Sequence, residues 1–218
     1  MVRAHGSARR LRVDARATLI YLLRHGEVVG AETRRFIGHL DVPLSTRGES
    51  QSHAQAARLR VVALSGVYTS DLNRARSTGA IIGAPHDLVP KVVPALREMD
   101  MGGWDGLTSA EIAAREPQAF TTWMAQIGEF PFPAGESVGD LIARAWPAFC
   151  EIVAAHRGHA IAVVAHGGTN RAILCRALGI PFGRLLAFGQ DYGALSVLEA
   201  TSEVWRLRVL NESPDSRQ

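Results

Sequence analysis

Phosphoryl transfer needs a nucleophile, cations that hold the equatorial oxygens, and an acid that protonates the departing oxygen. Five side chains of this sequence supply that set. His25, within Arg24-His25-Gly26-Glu27, is the candidate nucleophile, because a neutral imidazole nitrogen can attack phosphorus and the resulting phosphohistidine is open to hydrolysis. Arg24, Arg74 and His166 are candidate ligands of the phosphate oxygens, with the amides of Gly26 and Gly167 as further donors. Such a cationic cluster also keeps His25 in its unprotonated, nucleophilic form. Glu98 is the candidate acid: an arriving phosphate dianion favours its protonated state, and after the alcohol departs the same carboxylate can activate water.

Each residue alone has a plainer reading. A histidine after a strand is more often a cap or a core residue, and an arginine in the first turn of a helix is more often solvated. What carries weight is their joint order: Arg-His-Gly, then Ser-Asp-Leu-x-Arg, then Leu-x-Glu, then His-Gly-Gly.

The elements that would position them follow from apolar periodicity. Thr18 to Leu23 and Ala160 to Ala165 are continuous apolar runs suited to strands buried on both faces. They end at Arg24-His25-Gly26 and at His166-Gly167-Gly168. Ser45 can cap a helix to about Leu64, with Ala54, Ala57, Val61 and Leu64 at helical spacing. Gly66 to Ser70 reads as a short strand, Asp71 as the cap of a helix over Leu72 to Ile82, and Leu88 to Val93 as a third strand leading to Glu98.

Residues 99 to about 136 differ in kind. They hold Gly102, Gly103, Gly106, three prolines and two tryptophans, with a capping-box helix at Thr108-Ser-Ala-Glu111, and read as a lid insert over one end of the sheet. Trp104, Trp123, Phe130 and Phe132 are its candidate substrate contacts. A helix from Ser137 to about His156 follows, then one from Thr169 to Leu178. Residues 194–200 and 204–209 form an antiparallel hairpin at the sheet edge.

The predicted fold class is α/β: a three-layer sandwich with a mostly parallel central sheet and helices on both faces, occupying residues 18–210. A flexible basic tail is expected over 1–17 and a disordered C-terminus over 211–218. Ligands of such sheets bind beyond the carboxyl ends of the strands, where the five side chains fall.

The 218 residues, 47% hydrophobic with net charge +3, suit one such domain with ample core. Lys91 is the only lysine, and arginine is the better bidentate phosphate ligand, although genomic nucleotide bias carries the larger share of that enrichment. Cys150 and Cys175 lie in apolar helical patterns and read as reduced core residues of a cytoplasmic protein. The histidines have no metal-ligand spacing, no run is long enough to span a membrane, and no cofactor, membrane or nucleic-acid partner is expected. The terminal hairpin could pair its edge into a homodimer.

With these passages in view, the chain resembles the histidine phosphatase superfamily, the phosphoglycerate-mutase-like fold, over roughly residues 18 to 200. The matching stretches are LLRHGE (22–27), GHLDVPLSTRGESQ (38–51), VYTSDLNRAR (67–76), LREMDMGGWDGLT (96–108), AGESVGDLIAR (134–144) and VVAHGGTNRAIL (163–174). The resemblance implies His25 as the phosphorylated residue, Arg24, Arg74 and His166 as the phosphate pocket, Glu98 as proton donor, and no metal. The implied substrate-binding set is Arg24, Gly26, Gly38, Arg74, Glu98 and Gly167, acting on a small phosphorylated metabolite.

Within the superfamily, the compact insert looks closest to the α-ribazole phosphatase and broad small-molecule phosphatase branch. Mutases that use a bisphosphate cofactor carry a longer, basic insert, whereas Arg115 is the only basic residue between Met99 and Ser137. Hydrolysis is therefore favoured over the alternatives, a phosphoglycerate mutase or a non-catalytic phospho-ligand-binding module. Val28 stands where the family often has Thr and Asp105 where Glu is usual. Asn170 and Arg171 are read as structural, and Arg34, Arg35 and His39 as able to touch an anionic substrate tail.

Overall fold

In the computed structural model, which describes residues 17–214, six strands form one sheet in the order β3-β2-β4-β1-β5-β6. The strands are β1 (Thr18–Arg24), β2 (Leu64–Thr69), β3 (Lys91–Val92), β4 (Ala160–Ala165), β5 (Leu195–Ala200) and β6 (Trp205–Glu212). β1, β2, β3 and β4 run parallel, and β5 is antiparallel to both of its neighbours.

The helices are α1 (Thr46–Leu59), α2 (Asn73–Gly83), α3 (Ser109–Arg115), α4 (Pro117–Ala125), α5 (Val138–Ala155) and α6 (Gly167–Leu178). Alternate residues of the strands feed two cores, as the two-residue period of a strand requires. Ile20, Leu22, Ile161 and Val163 meet Phe149, Ile152 and Ile173 of α5 and α6. Leu23, Ala162 and Val164 meet Leu59, Ala75 and Ile82 of α1 and α2 on the other face. The three-layer α/β reading therefore holds.

Local chemistry sets most helix starts where expected. Ser45 caps α1 by accepting the N–H of Gly48, and capping boxes open α3 at Thr108 with Glu111 and α5 at Ser137 with Asp140.

Three expectations need correction. α1 stops at Leu59 rather than Leu64, because Leu64 is drawn into the ladder opposite Ala160, and Val61 is 86% exposed. Asp71 does not cap α2, which begins at Asn73; its carboxylate instead takes the Nε and a terminal nitrogen of Arg97, both at 2.7 Å. The third strand shrinks to Lys91–Val92, since the prolines at 90 and 94 cannot donate to a ladder. β6 runs on to Glu212, and the remainder of the expected tails, 1–16 and 215–218, lies outside the described residues.

The insert does not lie across the sheet edge alone. Trp104, Ile112, Phe130 and Phe132 pack with Val138, Leu141 and Ala145 of α5 and with Ala172 and Cys175 of α6. Trp104 is fully buried, ringed by Phe36, Phe120, Trp123, Phe130 and Phe132, so it is a core residue of the lid and not a substrate contact.

Glycine makes one close approach possible that the site depends on. A Cβ on Gly48 would stand 2.0 Å from the carbonyl oxygen of Glu27, and one on Gly26 would stand 2.2 Å from that of Gly48. The loop after β1 is thereby pressed onto the first turn of α1. Gly48→Ala is expected to cost about 1–3 kcal/mol or more through overpacking, read as a lower urea midpoint; an unchanged midpoint would show that the loop can move away freely.

Candidate active site

The register of the central strands assembles the site. Arg24 is paired with Ala165, so the next residues, His25 and His166, leave β1 and β4 side by side with ring centroids 5.1 Å apart. Thr69 of β2 is paired with Val164, which brings Ser70 alongside the same two strand ends.

His25 is buried, and its Nδ1–H donates to the carbonyl of Gly26 at 2.7 Å. That bond fixes the tautomer and leaves the lone pair on Nε2. Burial first, then the charges of Arg24 and Arg74, hold the imidazole well below its ordinary pKa, so it is neutral at physiological pH.

His166 is neutral as well: burial first, then the neighbouring cation of Arg74, hold its pKa well below the ordinary value. Its Nε2 meets the hydroxyl of Ser70 at 2.7 Å, and that hydroxyl also accepts the N–H of Leu72 at 3.3 Å. Among the described residues that hydroxyl meets no other acceptor for its own proton, which is therefore directed at Nε2, and Nδ1, which is buried and has no partner, carries the ring proton.

Arg24 and Arg74 are held by backbone carbonyls rather than by acids. Arg24 donates to Gln190 at 2.6 Å, and its guanidinium lies 3.7 Å from the centre of the Tyr192 ring. Arg74, 1% exposed, donates to Leu40 at 2.8 Å and Gly38 at 2.7 Å. In both, Nε is buried and unpartnered. Two charged donors and one imidazole N–H are thus left without acceptors in one small space, which an anion would satisfy.

The expected amide donors fare differently. The N–H of Gly26 is donated to Thr78 at 3.1 Å and that of Gly38 to Asp105 at 2.8 Å, so both are engaged; Gly38 serves through its carbonyl, by holding Arg74. Gly167 opens α6, where first-turn amides have no partner within the helix, and it lines the cavity described below.

Glu98 is 6% exposed and lies against the N-terminus of α6. Its Oε1 accepts the N–H groups of Met99 at 2.9 Å and Thr169 at 3.0 Å, while Oε2 accepts only that of Gly168, at 2.9 Å. Oε2 is therefore the oxygen free to hold a proton. Gly168 must be glycine here, since a Cβ would stand 2.6 Å from Oε1. Arg144, paired with Glu136, donates to the carbonyls of Ala95, Arg97 and Glu98 and so fixes the segment that delivers the acid.

Beside these groups lies a cavity of about 280 Å³ that Arg24 and Glu98 line and that His25, Arg74 and His166 do not. Arg24, Glu98, Gly167, Arg171 and Tyr192 form its floor; the lid contributes Trp123, Ile127 and Phe132. Arg34 and Arg35 reach its rim, whereas His39 does not; its Nε2 meets the carbonyl of Glu98 at 3.0 Å instead. Asn170 is buried and donates to Gln190, a structural role as expected.

The sequence reading missed Arg171 as a site residue, along with Tyr192 and Ser70. Arg171 stands one helical turn after Gly167, a spacing that could have revealed it. Tyr192 lies in an irregular segment before β5 with no pattern to mark it. A larger groove of about 720 Å³ opens at the other end of the sheet, but it carries no histidine and one arginine, and burial raises the pKa of its thiol, Cys150. Among the described residues no three His, Cys, Asp or Glu side chains converge to hold a metal ion.

Comparison with known proteins identifies the family and the fold. The chain matches the histidine phosphatase superfamily (branch 1) over residues 20–213. A metal-independent phosphoserine phosphatase of Arabidopsis thaliana is 36% identical over 173 residues, 76% of this chain and 71% of that protein. A glucosyl-3-phosphoglycerate phosphatase of Mycobacterium tuberculosis is 34% identical over 182 residues, 80% of this chain and 81% of that protein. The solved structure of an α-ribazole phosphatase from Shigella flexneri superposes with a TM-score of 0.81 at 25% identity, covering 89% of this chain and 96% of that one.

The electrostatics give a pH prediction. A depressed pKa means that the His25 ring takes up a proton only well below 6.5, so its NMR resonances should stay constant as pH falls through that value. Arg74→Met removes a positive charge that opposes protonation, and the midpoint should rise. A wild-type midpoint at the ordinary histidine value would contradict the buried, cation-flanked setting.

Proposed function

The chain belongs to the histidine phosphatase superfamily, and from that membership we propose that His25 carries the phosphoryl group between substrate and water. It is a small-molecule phosphatase of the histidine phosphatase type, a phosphoric monoester hydrolase. The observation that carries the proposed mechanism is the bond from His25 Nδ1–H to Gly26, which leaves Nε2 nucleophilic beside two arginines with unpartnered Nε–H groups.

In the first step the lone pair of Nε2 attacks phosphorus, a P–N bond forms, and the ester P–O bond breaks. The leaving oxygen takes a proton from Glu98 Oε2. Arg24, Arg74 and His166 Nδ1–H hold the equatorial oxygens, where charge develops. In the second step water attacks phosphorus, Glu98 takes its proton, the P–N bond breaks and inorganic phosphate departs. No step calls for a metal or an organic cofactor.

Water as acceptor is favoured over a second alcohol because the lid side of the cavity is apolar. Arg115, the lone basic residue of the insert, does not line the cavity, so the insert itself offers no cation to the second phosphoryl group of a bisphosphate. The two larger relatives' substrates and the α-ribazole ester are all small phosphate monoesters by their names, which supports a small phosphorylated metabolite here.

Hydrolysis of p-nitrophenyl phosphate in EDTA should persist in the wild type and fall by about 10³-fold or more in His25→Ala. Alkaline rapid quench should trap an acid-labile phosphoryl adduct that the mutant lacks. Equal rates in the two proteins would remove His25 from the mechanism.

Glu98→Gln separates the roles further. General acid catalysis contributes about 10²–10⁴-fold, and only where the leaving group needs a proton. In the first half-reaction, read as single-turnover release of the alcohol, alkyl phosphates should therefore slow by about 10²-fold or more while p-nitrophenyl phosphate slows much less; an equal loss on both in that step would remove Glu98 as the acid.

A further inference from the structure

The phosphate pocket accounts for Arg24 and Arg74; Arg34 and Arg171 line the cavity beside Arg24, and neither forms a direct ion pair among the described residues. Arg34 makes no side-chain hydrogen bond or ion pair among the described residues, and it sits on the rim in a left-handed turn, φ 49°. Arg171 gives its Nε to the carbonyl of Phe188 at 2.8 Å, and its terminal nitrogens make no hydrogen bond among the described residues. One of them stands 3.2 Å from where a Cβ on Gly167 would lie, next to Arg24 Nε at 3.5 Å. Arg35, by contrast, is spent on Glu111 and the carbonyl of Gly106.

The acids are distributed in the opposite way. Among the described residues Glu98 is the only carboxylate that lines the cavity, and the mechanism above uses it at the leaving oxygen. Asp71, Asp105 and Asp191 do not line it: their carboxylates bond Arg97, the amides of Gly38 and Leu40, and Asn211, and of the three only Asp191 acts on Arg24 and Arg171, through its field. The remaining wall includes Phe36, Met99, Met101 and Leu185. An ammonium group on the substrate would meet cations and hydrocarbon, while a second anion would meet Arg34 and Arg171.

We propose that Arg34 and Arg171 form a subsite for a second anionic group on the alcohol half of the substrate, and that the enzyme selects acidic phosphate monoesters lacking an amine. This rests on the phosphatase reading above and adds a charge rule to it. The cavity, about 280 Å³, limits the alcohol to a compact one.

Three near-isosteric esters test the rule. 3-Phosphoglycerate carries the carboxylate alone, O-phosphoserine replaces its hydroxyl by an ammonium, and glycerol 3-phosphate replaces its carboxylate by an alcohol. The expected kcat/KM for 3-phosphoglycerate exceeds each of the others by about tenfold or more, the scale of one charge-assisted contact. Arg34→Gln should shrink the preference over glycerol 3-phosphate several-fold, chiefly through KM, and Arg34→Lys should retain part of it.

A wild-type preference near one, a preference for phosphoserine, or a preference untouched by Arg34→Gln would overturn the subsite. So would turnover of p-nitrophenyl phosphate with none of the three esters cleaved. In each of those cases turnover of p-nitrophenyl phosphate leaves the phosphatase reading standing. Its absence in the wild type would sink that reading and the subsite with it.

Discussion

Positive charge buried at the carboxyl end of β1 and β4 is the constraint around which this molecule is arranged. Removing a guanidinium from water is costly unless something compensates it. Here Arg24 and Arg74 are compensated mainly by carbonyls of Gln190, Leu40 and Gly38 and by the face of Tyr192. Those partners come from irregular segments, so the loops after β1 and before β5 must be fixed for the pocket to exist. The tight contact between Gly26 and Gly48, and the placement of Gly38 by Asp105, do that fixing. The carbonyls satisfy the outer nitrogens only. An anion is left to complete the shell, which makes the pocket a binding site for phosphate rather than a self-sufficient ion-pair network.

Glu98 obeys the same logic with the sign reversed. It is a buried acid, and it is stabilised by N–H groups at the start of α6 and by nearby cations. The helix that holds the acid begins immediately after His166, so nucleophile, phosphate donor and acid are referred to one another through two adjacent strands and one helix. Arg144 ties the fourth contributor, the segment before Glu98, to α5. The aromatic side chains of the lid pack on α5 and α6 and not on the reacting groups, so they can change the substrate without disturbing the chemistry, whereas Asp105 and Glu136 of the same insert hold Gly38 and Arg144 and are tied to it.

How much of this was legible in the sequence depends on how each residue reaches the site. His25, His166 and Arg24 sit at the ends of apolar runs that can only be buried parallel strands, so their convergence follows from strand topology. Glu98 and Arg74 follow from order along the chain and from family likeness. Ser70 depends on the register of β2 against β4, which no local pattern encodes. Tyr192 arrives in a segment with no periodicity. Asp71 misled because its preference for a helix cap lost to a two-pronged bond with Arg97, a partner twenty-six residues away. Trp104 misled because aromatic residues in a lid suggest ligand contact, whereas a 38-residue insert must first bury a core of its own.

The two histidines show how little is needed to divide roles between identical side chains. Both are buried, both are neutral, and both feel the same arginines. His25 faces a backbone carbonyl at Nδ1, which can only accept, so it must donate there and keep its lone pair on Nε2. His166 faces a hydroxyl that has no other acceptor for its proton among the described residues, so it receives that proton at Nε2 and keeps one to give at Nδ1. One carbonyl makes a nucleophile and one hydroxyl makes a hydrogen-bond donor, 5.1 Å apart. Charge could not have made that distinction, because any cation close enough to act on one ring acts on the other; only the directional demand of a hydrogen bond can.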